Sequence, residues 1–275
     1  MNQTRFHFPI DFQTLILKLN GGYMQLSKIF FISLALLNSV RVFSSDEHHK
    51  MESHPKENVA VTTKAATSAV HSTHKREAGP INSSTSLRYL KNGNTRFIEK
   101  KFRKDGVSRE EIKGLSTGQK PHAIVLSCSD SRVPPEILFD QKLGEIFVVR
   151  TAGEALDSAV IASIEYAVSH LGSNLIVVMG HESCGAVKAA LSTLTGGDAG
   201  SAALNKLVAD IHPRLARYSR IPASAGVVAE SWSNVEGVAN DLAARSEIIQ
   251  SAIESGEVKI EKALYHLGSG SVEWK

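Results

Sequence analysis

The sequence encodes an α/β domain: a mostly parallel central sheet with flanking helices and a strand near the C-terminus. Unbroken apolar, β-branched runs recur along its second half, as strands covered on both faces require. Stretches of helical period separate these runs, and such alternation builds parallel sheets. The chain has 275 residues, 42% hydrophobic and 21% charged, which suits one sizeable core plus appendages. Net charge is only +3. Basic residues are scattered except for Lys100-Lys101-Phe102-Arg103-Lys104. No aromatic interleaving or recognition motif accompanies that cluster, so it reads as a solvated helix end and no nucleic-acid partner is expected.

Residues 1–44 read as an upstream extension plus a secretory signal peptide. Lys28 precedes the apolar run Ile29–Leu37, and Val42-Phe43-Ser44 supplies a cleavage site. The run is too short for a bilayer-spanning helix. Translation is expected to start at Met24, and the mature chain to be exported, in the periplasm, with no stable membrane span. An uncleaved signal anchor is the alternative. Residues 45–82 lack apolar periodicity and are rich in Ser, Thr, His, Ala and Lys, a flexible linker. His48, His49, His54, His71 and His74 lie there; their irregular spacing suits a solvated tail better than a metal site.

The catalytic domain is expected over 83–275. Ser84 or Thr85 can cap a helix whose Leu87, Leu90, Phe97 and Ile98 form one stripe. The first strand is His122–Ser127, the second Ile146–Arg150 and the third Leu175–Met179. Between the last two, Leu156, Val160, Ile164, Val168 and Leu171 step at helical spacing, closed by Gly172. Pro134 and Pro135 shape a turn after the first strand. A helix follows the third strand from Ser183. A long helix is expected over Ala229–Ser255, with Trp232, Val235, Val238, Leu242 and Ile249 on one side and Gly256 as its stop. Val258–Leu267 is the last strand.

Ligands of such sheets bind beyond the carboxyl ends of the strands. The first strand ends in "CSDSR", bringing Cys128, Asp130 and Arg132; the third ends in "GHESCG", bringing His181 and Cys184. If these strands are neighbours, two thiols, an imidazole and a carboxylate share one crevice. That donor set suits tetrahedral zinc, since sulfur with nitrogen disfavours magnesium and calcium. Spacing alone leaves a Cys128–Cys184 disulfide or two inert core cysteines as other readings. The chain has only 2 Cys, too few for a disulfide scaffold.

"CSDSRVPPE" followed by "HESCGAV" resembles the beta-class carbonic anhydrases. The likeness runs from about Leu87 through "GEIFVVRTAG", "SIEYAVSHLG" and "IVVMGHESCGAVKAA" to the last strand. It implies zinc-dependent reversible hydration of carbon dioxide to bicarbonate and a proton, by zinc-hydroxide chemistry. Cys128, His181 and Cys184 match the Zn2+ ligands, and Asp130 and Arg132 the catalytic pair. Gln119 matches a glutamine that hydrogen-bonds bound substrate. Phe147 and Tyr166 match the apolar wall of the carbon dioxide pocket, and Gly185 the residue whose N–H faces substrate. Thr151-Ala152-Gly153 stands where most relatives have Val-Ala-Asn, which bears on pocket width. A regulated branch closes its site by placing the aspartate on the metal as fourth ligand, aided by a tryptophan upstream of the first cysteine. Val125 occupies that place here, so an open site is expected, with Arg132 holding Asp130 away. The resemblance also implies a homo-oligomer, dimer or tetramer, joined through N-terminal helices.

Two other functions remain compatible with the residues. A secreted zinc-binding protein could use a structural Cys/His site, although a closed site needs no arginine poised to remove a ligand. A related hydrolase could act on carbonyl sulfide or carbon disulfide.

Overall fold

The computed structural model describes residues 81–275. The signal segment, the export it implies and the histidines of the linker lie outside the described residues. No described helix is long and apolar enough to cross a membrane.

Helix α1, Ser83–Ile98, is capped by Asn82, whose side chain accepts from the Thr85 N–H at 2.8 Å. The expected caps Ser84 and Thr85 are instead its first turn, because Asn82 reaches the orphan N–H first. Leu90 is fully buried, and Gly93 lies against the Phe139 carbonyl. A Cβ added at Gly93 would fall 1.7 Å from that oxygen, so only glycine permits the approach. Helix α2, Arg109–Gly114, carries a Ser108–Glu111 capping box and buries no residue.

Strand β1, Ala123–Cys128, is buried throughout. The proline turn then forms the short helix α3, Pro135–Leu138. Strand β2, Ile146–Thr151, follows. Helix α4, Ser158–Leu171, starts at Asp157, whose carboxylate accepts from the Val160 N–H, and ends at a left-handed Gly172. Strand β3, Leu175–His181, leads into helix α5, Gly185–Thr193. Helix α6, Ala202–Leu215, has no counterpart among the expected elements. Its polar sequence ends in a proline-bearing turn, which blurs the apolar stripe of Val208, Ile211 and Leu215.

The long helix expected over 229–255 is two helices: α7, Val228–Ala244, and α8, Glu247–Glu254. Ser246 breaks it. Its hydroxyl accepts from the Ile249 N–H at 3.1 Å and donates to Glu165 on α4 at 2.6 Å, an N-cap anchored to a neighbouring helix. The last expected strand is shorter, β4, Lys259–Tyr265, and after a turn the chain returns as β5, Val272–Trp274.

Among the described residues the sheet order is β2-β1-β3-β4-β5, parallel except for the antiparallel β4–β5 pair. Adjacent positions alternate between two cores. Val125 and Val177 join Leu90, Val187, Ile211 and Leu215 on one face. Ile124, Leu126, Ile176 and Val178 join Ile164, Val235, Val238 and Leu242 on the other. Covering both faces is why these strands read as continuous apolar runs. Strand β2 is the exception: an edge strand, only half-buried along its whole length.

Candidate metal centre

β1 and β3 lie side by side, paired from Ile124↔Ile176 to Ser127↔Met179, so their carboxyl ends meet. Cys128 closes β1, His181 closes β3, and Cys184 stands at the N-terminus of α5. All three are buried, and their ligand atoms lie within 4.8 Å of one another. The backbone is bent to achieve this. Ser183, between the histidine and the second cysteine, is left-handed at φ 58° and its N–H donates to Gly226. Glu154 and Val227, which flank the same centre, are left-handed as well. Such backbone is uncommon outside glycine and collects at functional sites.

The donor set suits a soft cation. The imidazole Nδ1 of His181 pairs with the Glu182 carbonyl at 2.8 Å, so it carries the hydrogen and Nε2 presents a bare lone pair. That Nε2 is buried without a hydrogen-bond partner. A polar atom orphaned in this way needs an occupant, and between two sulfur atoms a metal fits it. Cys128 and Cys184 are both free, so the disulfide reading does not describe this structure. The Cys184 S–H donates to Cys128, which favours thiolate at Cys128 and pushes the Cys184 thiol up. The Gly153 N–H also donates to Cys128 Sγ, at 3.4 Å.

At the rim Arg132 grips Asp130 with both prongs of its fork, Nε to Oδ1 at 2.9 Å and Nη2 to Oδ2 at 2.7 Å. The Arg132 backbone N–H adds a third bond to Oδ1. These bonds hold the Asp130 carboxyl well below the usual carboxylate range, although burial opposes them. Asp130 Oδ2 lies 4.0 Å from His181 Nε2. Arg150, at the end of β2, donates to the carbonyls of Cys128 and Asp130, fixing the loop between them.

The remaining expected residues are dispersed. Gly185 adjoins Cys184 as the first residue of α5, and a Cβ there would meet nothing within 4 Å. Gln119 is exposed ahead of β1, whose far end holds Cys128. Phe147 pairs with Ile124 at the start of β2, about 13 Å along the strands from the metal end. Tyr166 is exposed on α4, its ring edge-on to His170. Within one chain these three do not join the cysteine cluster.

A carbonic anhydrase family profile matches residues 123–272. The chain belongs to the beta-carbonic anhydrase family. The carbonic anhydrase of Mycolicibacterium smegmatis is 43% identical over 184 residues, covering 67% of this chain and 89% of its own. Carbonic anhydrase 2 of Mycobacterium tuberculosis is 43% identical over 181 residues, covering 66% and 87%. Among solved structures, the beta-carbonic anhydrase CcaA superimposes with a TM-score of 0.56 at 25% identity, covering 68% of this chain and 94% of that one. The Coccomyxa beta-carbonic anhydrase, solved with acetazolamide, gives 0.54 at 28%, covering 68% and 85%. As a beta-carbonic anhydrase the chain is an enzyme, and membership implies carbon dioxide hydration. The profile takes in all the expected site residues except Gln119.

Sequence reasoning missed Arg150, Glu154 and Asn234. Glu154 is completely buried, which pushes its carboxyl well up, with the charge of Cys128 adding to the effect. The signal for Asn234 was a polar residue inside the stripe of Trp232, Val235 and Val238; it is fully buried on α7.

Proposed function

We propose that this beta-carbonic anhydrase hydrates carbon dioxide reversibly, giving bicarbonate and a proton, with Zn2+ held by Cys128, His181 and Cys184. The observation that carries this reading is the buried Cys/His/Cys set with an unpartnered imidazole nitrogen. Zinc bound there supplies the Lewis acidity that makes water a nucleophile near neutral pH. Asp130, ionised and beside that cluster, accepts a hydrogen bond from the attacking water and aims its lone pair at carbon. Arg132 holds the carboxylate in that role and would keep it away from an ion bound by Cys128, His181 and Cys184. Gly185 offers its N–H to a substrate oxygen beside Cys184. The proton released by hydration leaves to buffer.

The aromatic wall needs a second copy of the chain. Phe147 and Tyr166 sit on or beside the half-exposed β2 edge, and an unpaired edge strand invites pairing. A homo-oligomer that buries this edge can bring Gln119, Phe147 and Tyr166 of one copy toward the cluster of another. Export to the periplasm is proposed from the signal-like segment alone.

The test is hydration by the purified chain, before and after chelation, with metal analysis. One zinc per chain and activity lost on chelation and restored by zinc are expected. Full activity in metal-free protein would reject the reading.

A further inference from the structure

We propose that Asn234 is a positioning residue for the metal centre, acting through the Gly153 turn on the sulfur of Cys128. The inference rests on the zinc reading above. Gly153 and Glu154 form two successive left-handed residues, at φ 63° and 53°, one residue after the end of β2. This conformation turns the Gly153 N–H onto Cys128 Sγ. The Asn234 side-chain amide donates to the Gly153 carbonyl at 2.8 Å and to Glu154 Oε2 at 3.2 Å.

The orientation of that amide is itself enforced. Arg214 donates to Asn234 Oδ1 at 3.3 Å, and a guanidinium has no acceptor, so the amide oxygen must face it. Arg214 is nearly buried and is held by Asp210 and Asp241. The chain of contact runs from this ion cluster through Asn234 to the turn, and from the turn to a metal ligand. An N–H donated to a thiolate draws electron density from sulfur. Two thiolates donate heavily to one ion, and the Gly153 N–H tempers one of them. Groups in such outer positions affect metal affinity by about 10–100-fold.

Cobalt(II) reports on sulfur directly, through thiolate-to-metal charge-transfer absorption. The unmodified protein loaded with cobalt is compared with Asn234→Ala and with Asn234→Asp, which keeps the shape and the Arg214 partner but removes the donor. Ser231→Ala, buried on the same helix with a hydroxyl that makes no hydrogen bond, controls for general disturbance of α7. In both Asn234 variants the band should move to longer wavelength, because a thiolate without its N–H holds electrons less tightly. Cobalt affinity, measured by chelator competition, should fall about tenfold or more, because the loss of Cys128 positioning outweighs the stronger donation of its sulfur, while Ser231→Ala leaves both unchanged. If neither variant folds, the unmodified protein loaded with 113Cd decides: a coupling between the Gly153 amide proton and cadmium is expected. Its absence, or an unshifted band in folded variants, overturns the role of Asn234 alone. No charge transfer in the unmodified protein overturns the zinc reading and this one with it.

Discussion

Asp130 and Glu154 are carboxylates fixed in two different ways beside the Cys128, His181 and Cys184 cluster. Freed of its fork, Asp130 has the cluster within reach, since Oδ2 already lies 4.0 Å from His181 Nε2. Arg132→Ala should therefore abolish hydration while zinc content stays at one per chain, and Arg132→Lys should recover only part, lacking the planar fork. Full activity in the alanine variant would reject the gate. Glu154 is fixed by burial instead. Its folded pKa is raised above the unfolded value, so the folded state binds the proton more tightly. Stability is then greatest below the unfolded value near 4.5 and falls as pH rises above it. Glu154→Gln, neutral at every pH, should melt higher than the parent at pH 8, with the gap closing toward pH 4; equal melting at pH 8 would contradict this. The grouping of Cys128, His181 and Cys184, with the Asp130–Arg132 pair beside it, was legible because each residue sits in a short motif at a strand end. Glu154 and Asn234 were not, because their meaning lies in a contact between residues far apart in sequence.

Strands β1 and β3 announced themselves because burial on both faces removes every polar interruption. The break between α7 and α8 was hidden because the apolar stripe continues across it, and only the anchoring of Ser246 to Glu165 reveals the reason. Ser246→Ala should cost about 1–2 kcal/mol in denaturant unfolding, from the lost cap and the unpaired glutamate. A loss below a few tenths would mean that the helices break for another reason. The three-residue β5 was too short to carry a period, and α6 lost its stripe among polar neighbours.

At the scale of the molecule, both cores are closed but the β2 edge is not. Tyr166→Asp should shift the protein toward monomer in sedimentation, lower hydration at least tenfold and leave zinc content unchanged. Monomers with full activity would show that one chain is a complete enzyme. The parallel sheet was legible in the sequence from its crossovers. The dispersal of Gln119, Phe147 and Tyr166 was not, because motif resemblance assigns residues to a family's pocket without placing them in the fold of one chain.

The strand order has a kinetic consequence. β1 and β3 are neighbours in the sheet, but β2 and α4 lie between them in the chain. A parallel pair of this kind closes late, since its crossover must be ordered before the contacts form. The donors from β1 and those from β3 and α5 therefore meet only when the sheet's centre has zipped. Metal capture becomes a timestamp of refolding: zinc uptake after dilution from denaturant should lag the recovery of helical signal, and excess zinc should not hasten it.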